Sequence, residues 1–104
     1  MFGKARLRNA RLSDVTLPNA QFARADLTEA GFSHATLTDA FFTDANLRKA
    51  QFWNAKVSQA DFGNADLRGT NFTGADIAGA EFEGARHDDD TRWPDGVIPL
   101  QLRN

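Results

Sequence analysis

The chain has 104 residues, 25% of them charged, with 12 Lys and Arg against 14 Asp and Glu and a formal net charge of −2. That length suits one domain, and so even a balance supplies neither a basic field for nucleic acid nor extreme acidity. With no cysteine, no signal-peptide-like opening and no apolar run long enough for a membrane helix, the expectation is a soluble cytoplasmic protein without disulfide or thiolate chemistry.

From Phe2 onward a large apolar residue recurs at every fifth position: Leu7, Leu12, Leu17, Phe22, Leu27, Phe32, Leu37, Phe42, Leu47, Phe52, Val57, Phe62, Leu67, Phe72, Ile77 and Phe82. A second lattice runs in fives from Ala5 to Ala85 and is alanine throughout except at Val15 and Thr70. A step of five rotates by about 140° on an α-helix, which would spread the large residues over every side. On a flat strand it alternates faces and exposes half of them. All become internal only if the chain turns a corner every five residues, with the small residue and the large one pointing inward and the other three forming corner and surface. Nine Phe and no Tyr agree with rings chosen for burial without a polar handle.

The number of sides follows from which residues would stack. A three-sided coil would set Phe2 on Leu17, Phe32 and Leu47, mixing rings with aliphatics. A four-sided coil collects Phe2, Phe22, Phe42, Phe62 and Phe82 in one column, and Leu7, Leu27, Leu47 and Leu67 in the next. Leu12, Phe32, Phe52 and Phe72 form the third, and Leu17, Leu37, Val57 and Ile77 the fourth. Like then packs on like without voids, so four sides are expected. Only a methyl fits beside four large groups per coil; slight bulging is expected at Val15 and Thr70.

The units Ala25-Asp26-Leu27-Thr28-Glu29, Ala45-Asn46-Leu47-Arg48-Lys49 and Ala65-Asp66-Leu67-Arg68-Gly69 resemble the consensus of the pentapeptide-repeat family, A-[DN]-L-x-x. The resemblance covers residues 1–85. It implies an all-β fold, a right-handed quadrilateral parallel β-helix of about four coils, standing about 20 Å tall from the strand spacing. The consensus Asp or Asn is present at Asp26, Asn46, Asp61, Asp66, Asn71 and Asp76, and is replaced at Arg6, Arg11, Gly31, Phe41 and Lys56. The earlier coils are therefore expected to have the less regular surface.

After Ala85 the period stops at Arg86-His87-Asp88-Asp89-Asp90, and Thr91-Arg92-Trp93-Pro94-Asp95-Gly96-Val97 resembles the closing segment seen behind such repeats. A solenoid end exposes core and unpaired strand edges, so residues 86–104 are expected to cap it. Trp93, Val97, Ile98, Leu100 and Leu102 would supply cover, with Pro94 and Gly96 making the turn. The alternative reads these apolar residues as a dimer contact. At the other end the repeat starts at Phe2 with no capping segment before it, so a homodimer through a solenoid end is a further option.

No set of nucleophile, base and orienting group appears, and no cofactor or metal is expected. His34 reads as a solvated corner residue, and His87-Asp88-Asp89-Asp90 as a solvated joint, since three adjacent acids on a loop do not preset coordination geometry. Gly69, Gly74, Gly79 and Gly84 recur at corners and read as turn glycines. Among outward residues, Arg8, Arg48 and Arg68 would share a column interrupted by Thr28. Phe41 and Trp53 break the polar surface on opposite faces. These five are the candidate partner contacts. Charge is uneven along the axis: residues 1–24 carry five basic groups and Asp14, for +4, and residues 25–104 carry seven basic and thirteen acidic groups, for −6.

The favoured reading is a non-catalytic bacterial interaction or scaffold module with an unnamed protein partner. The resemblance also implies DNA mimicry, in which acidic family members bind DNA gyrase or topoisomerase IV. This chain departs from that pattern in its near-neutral charge, its basic first coils and its lack of projecting loops. Nucleic-acid binding through the basic N-terminal coils is the third reading.

Overall fold

The structure, a computed structural model, describes residues 2–102. Parallel bridges join residues twenty apart down the chain: Arg6 to Asp26 to Asn46 to Asp66 to Arg86, Arg11 to Gly31 to Gln51 to Asn71, Thr16 to Thr36 to Lys56 to Asp76, and Gln21 to Phe41 to Asp61 to Glu81. Each run lies on one face, so four five-residue units make one coil of a repeat β-solenoid. Among the described residues no unit contributes more than one bridged residue per side, and none forms an extended strand. Its extents are 33 × 21 × 21 Å, a square cross-section. The chain beyond Ala85 continues beneath the repeat and adds to its length along the long axis.

The corner chemistry is uniform. Every fifth residue from Lys4 to Gly84 has φ between +58° and +75°, and, at every corner but the one closed by Val15, the amide of the following residue donates to the carbonyl of the preceding core residue, as Ala45 does to Phe42 at 3.0 Å. A turn with positive φ only at its third residue is type II, which favours Gly or Asn there. Glycine fills this position at 69, 74, 79 and 84; elsewhere Asn, Asp, Lys, Arg, Glu, Gln and His adopt it. Between coils, core-residue amides donate to the carbonyl nineteen positions on, as Phe42 does to Asp61 at 2.7 Å. The next coil's bridged residue donates back, as Asp61 does to Ala40 at 2.9 Å. The backbone polar groups of each side are thereby spent on its neighbours.

The large residues stack inside. Phe22, Phe32, Phe42, Phe52, Phe62, Phe72, Phe82, Leu27, Leu37, Leu47, Leu67 and Val57 are fully buried. Rings twenty apart stack with centroids 4.8–5.1 Å apart, and rings on the two aromatic faces meet edge to face at 5.4–5.9 Å. Both geometries suit the ring quadrupole. Phe2, Leu7, Leu12 and Leu17 in the first coil are only partly buried, since they have a neighbouring coil on one side.

At Val15 the Thr36 amide still donates to the Val15 carbonyl at 2.8 Å, but the Val15 amide does not reach the Leu12 carbonyl, so this corner is more open than the others. At Thr70 the corner is closed, its amide donating to the Leu67 carbonyl at 3.0 Å. Thr70 is accommodated because its hydroxyl, fully buried, donates to the Leu47 carbonyl at 2.7 Å. A hydroxyl fits where a methyl fits, provided it has a partner.

Beyond Ala85 the five-residue spacing ends but the ladder continues, displaced by one residue. Arg86 keeps the regular register, whereas Arg92 bridges Asn71 twenty-one positions away. The extra residue is absorbed at 88–90, and Asp88 repairs the ladder there. The Gly69 amide, which would meet a carbonyl at position 88 in a regular coil, is bound instead by Asp88 Oδ1 at 3.1 Å. The same carboxylate accepts from the Asp90 amide at 3.0 Å and the Thr91 hydroxyl at 3.2 Å. Past the slip, Thr91 occupies the small-residue lattice and donates its hydroxyl to the Leu67 carbonyl at 2.8 Å, as Thr70 does one coil above. Trp93 then takes the core position, 6% exposed, and stacks on Phe72 at 5.3 Å. Asp95 has φ +54° and Gly96 N–H returns to the Trp93 carbonyl at 2.9 Å, the same corner as in the repeats. Thr91-Arg92-Trp93-Pro94-Asp95 is thus a further repeat unit.

Candidate functional site

The outward positions form a grid, two columns per face plus the corner residues, and its local chemistry follows from the backbone. The residue after each core position has an amide that points outward, away from the ladder. Where Asp or Asn precedes the core residue, its Oδ1 accepts that amide: Thr28 to Asp26, Arg48 to Asn46, Gly63 to Asp61, Arg68 to Asp66, Thr73 to Asn71 and Ala78 to Asp76, at 2.8–3.2 Å. The consensus acid or amide is therefore a local cap on an otherwise unpaired donor. Where Phe41 replaces it, the Thr43 amide has no protein partner among the described residues.

The arginine column is largely engaged. Asp66 Oδ2 accepts from Arg68 at 2.6 Å and lies 3.9 Å from Arg48. The Arg68 guanidinium hydrogen bonds hold the Asp66 carboxyl below the usual carboxylate range against the opposing effect of burial. Asp26 is likewise lowered, first by the Thr28 hydroxyl at 2.7 Å, against partial desolvation, with Arg8 and Arg48 adding attraction. Arg48 and Arg68 thus engage Asp66 of the neighbouring column, and Arg8 attracts Asp26 of that column, so the three do not form a free basic strip.

Phe41 and Trp53 stand 43% and 42% exposed on opposite faces. Trp53 meets His34 edge to face at 5.3 Å; His34 is thus part of an aromatic contact as well as a corner residue. At the C-terminal end Val97 and Leu100 are 52% and 76% exposed, whereas Leu102 packs partly against the core. Leu100–Leu102 is a short 3-10 turn, and the Gln101 side-chain carbonyl accepts the Phe82 amide at 2.6 Å, where another coil would supply a backbone carbonyl. Asp88 is a ladder partner and not a freely solvated joint; desolvation opposes its ionisation, but the Gly69, Asp90 and Thr91 donors outweigh it and hold the carboxyl below the ordinary value. A spacing of five hides this role, although the parallel between Thr70-Asn71-Phe72 and Thr91-Arg92-Trp93 carries the signal.

Among the described residues no group of three or more His, Asp or Glu is placed to hold a metal ion, and no helix is long and apolar enough to cross a membrane. A surface depression of about 840 Å³ lies over the register slip and is lined by His87, Asp88, Asp89, Arg92, Trp93 and Asp95 among others.

The sequence pattern known as the pentapeptide repeat region matches residues 15–89. No curated protein matches the chain. Similar solved structures include a pentapeptide repeat protein from the Arabidopsis thaliana thylakoid lumen, at 30% identity and TM-score 0.60, covering 77% of this chain and 59% of that one. Another, from Nostoc PCC 7120, has 28% identity and TM-score 0.59, covering 93% of this chain and 76% of that one. A third, from the cyanobacterium Cyanothece 51142, has 27% identity and TM-score 0.51, covering 86% and 67%. The chain thus spans less than two thirds of the thylakoid protein's length. The match over most of the repeat, together with the twenty-residue coil and its capped outward amides, leads to one conclusion: this chain belongs to the pentapeptide repeat family.

Proposed function

We propose that the chain is a non-catalytic protein–protein interaction or scaffold module of the bacterial cytoplasm. In this reading residues 1–85 form a right-handed quadrilateral solenoid of about four coils, and residues 86–104 close its end, with Trp93, Pro94 and Gly96 adding one more repeat corner and Val97, 52% exposed, left outside the cover. The observation that carries the reading is the rigid outward grid, on which Phe41 and Trp53 stand out among polar neighbours. Large apolar groups held in fixed register present anchors to a partner at little ordering cost. The test is affinity capture from the host lysate with the wild type, Phe41→Asp and Trp53→Ala. A partner retained by the wild type and lost by either variant supports the reading; a partner set that neither variant changes overturns the assignment of these anchors.

A second reading is a DNA-mimic ligand of a type II topoisomerase. It draws on the acidic column Asp61 and Glu81, bridged in the ladder, with Glu83 beside them. A plasmid supercoiling assay decides it: inhibition or quinolone protection lost on Glu81→Lys favours the mimic, and inactivity at micromolar protein removes it.

A further inference from the structure

The face built on Phe2, Phe22, Phe42, Phe62 and Phe82 differs from the other three in the column just after the core residue. That column reads Gly3, Ala23, Thr43, Gly63 and Glu83. Four small residues leave the face flat, and a shallow groove of about 430 Å³ runs along them, floored by Gly3, Ala23 and Thr43 and rimmed by Lys4, Arg24 and Asp44. The column before the core residue reads Gln21, Phe41, Asp61 and Glu81. Phe41, 43% exposed, lies at the middle coil. Charge separates along the same face: Lys4 and Arg24 lie in the first two coils, and Asp61, Glu81 and Glu83 in the last two.

We infer that this face pairs with the same face of a second copy, the two solenoid axes antiparallel about a two-fold axis through the Phe41–Thr43 row. A two-fold axis along that row keeps each column opposite itself and reverses the coil order. Glu83, the one long side chain in the small-residue column, then falls over Gly3 of the other copy, where there is no side chain, and beside that copy's Lys4. Gln21 meets Asp61, Ala23 meets Gly63, and the two Phe41 rings cover each other at the centre. Parallel pairing would instead set the acidic coils against acidic coils. Asp44 faces its own copy at the groove margin, a like-charge contact that weakens the pair.

The size of the face sets the strength. Five coils at ~4.8 Å spacing across a 21 Å width give about 500 Å² per copy, below the usual size of a stable interface. The dimer is therefore a weak, micromolar or looser pair whose affinity falls as salt rises.

The test uses charge reversal in trans. Lys4 and Glu83 lie four coils apart in one chain, ~19 Å, too far to pair within it. Sedimentation equilibrium up to about 1 mM chain is run on the wild type, Phe41→Asp, Lys4→Glu, Glu83→Lys and the Lys4→Glu/Glu83→Lys double variant, with circular dichroism to check that each is folded. The expected result is a wild-type dimer, loss of dimer in Phe41→Asp, weakening of about tenfold or more in each single reversal, and recovery to within about threefold in the double variant. A wild type that stays monomeric overturns the inference. So does a dimer indifferent to these substitutions, which would locate the contact at a solenoid end, or a double variant as weak as its parents.

Discussion

Replacing Phe52 by leucine tests whether the interior is a set of ring columns or merely an apolar filling. Phe52 is fully buried, stacked on Phe32 at 4.8 Å and 10° and on Phe72 at 5.1 Å and 17°, and edge-on to Phe42 and Phe62 at 5.5 and 5.8 Å. Leucine retains most of the buried apolar area, so the transfer and cavity loss is about 1 kcal/mol. Each aromatic pair adds about 0.5–1.5 kcal/mol beyond area, and all four are lost together, which brings the expected cost to roughly 3–5 kcal/mol with allowance for non-additivity. That is a large share of the 5–15 kcal/mol by which domains of this size are stable. Urea unfolding followed by far-ultraviolet circular dichroism measures the loss, with Trp93 fluorescence as a second probe, because Trp93 stacks on the same column through Phe72. The neighbouring Trp53→Phe, at a half-exposed position, is expected to cost under about 1 kcal/mol. Equal effects of the two substitutions, or a Phe52→Leu cost below about 1 kcal/mol, would refute ring stacking as a main source of stability.

Thr70→Val removes the 2.7 Å hydroxyl donor from the Leu47 carbonyl, which keeps only the Ala50 amide at 3.0 Å, and is expected to cost about 0.5–1.5 kcal/mol in urea unfolding, whereas Thr70→Ser retains most of the stability. Gly84→Ala places a Cβ at φ +75° and against the Asn64 side chain, so it is expected to destabilise by about 1–3 kcal/mol, with partial relief when Asn64→Ala is added. Asp26 and Asp66 have folded-state pKa values lowered from 3.8, so the stability they contribute is present above the unfolded value and is lost as pH falls through the folded one. Thermal melts between neutral pH and pH 2 are expected to show that acid loss, reduced in Asp66→Asn; a variant with an unchanged acid slope would remove Asp66 from the account.

How far the fold could be read from the sequence depended on which physical rule governed each residue. Ring and aliphatic columns emerge from the period alone, because burial permits one large side chain per corner, and bridges twenty residues apart have that spacing. The preference for Asp or Asn before the core residue is visible as a pattern, but its cause, the outward amide one residue past the core, appears only with the backbone in place. Trp93 shows the opposite case. One inserted residue breaks the count of five, and nothing in the composition announces that the Asp88 side chain stands in for a carbonyl of the ladder. Arg48 and Arg68 illustrate a third limit. Their column is legible, yet the Asp66 oxygen that engages them lies in the neighbouring column, and the pairing depends on side-chain reach. The candidate site was therefore legible as positions of Phe41 and Trp53 on faces, and not as contacts such as that between Trp53 and His34.

The account rests on a coil of twenty residues, since that length decides which side chains share a face, including every residue in the proposed interfaces. A cysteine-free chain allows a direct test by disulfide trapping. Thr36 and Lys56 are bridged outward neighbours, and adjacent strands place such positions ~4.8 Å apart, within disulfide reach. Thr36 and Gln51, fifteen apart, would be neighbours only on a three-sided coil. Mild oxidation should close the Thr36→Cys/Lys56→Cys pair rapidly and within one chain, read by mass spectrometry, and leave Thr36→Cys/Gln51→Cys as free thiols. Crosslinking of the second pair in preference to the first would contradict the four-sided solenoid and the faces derived from it.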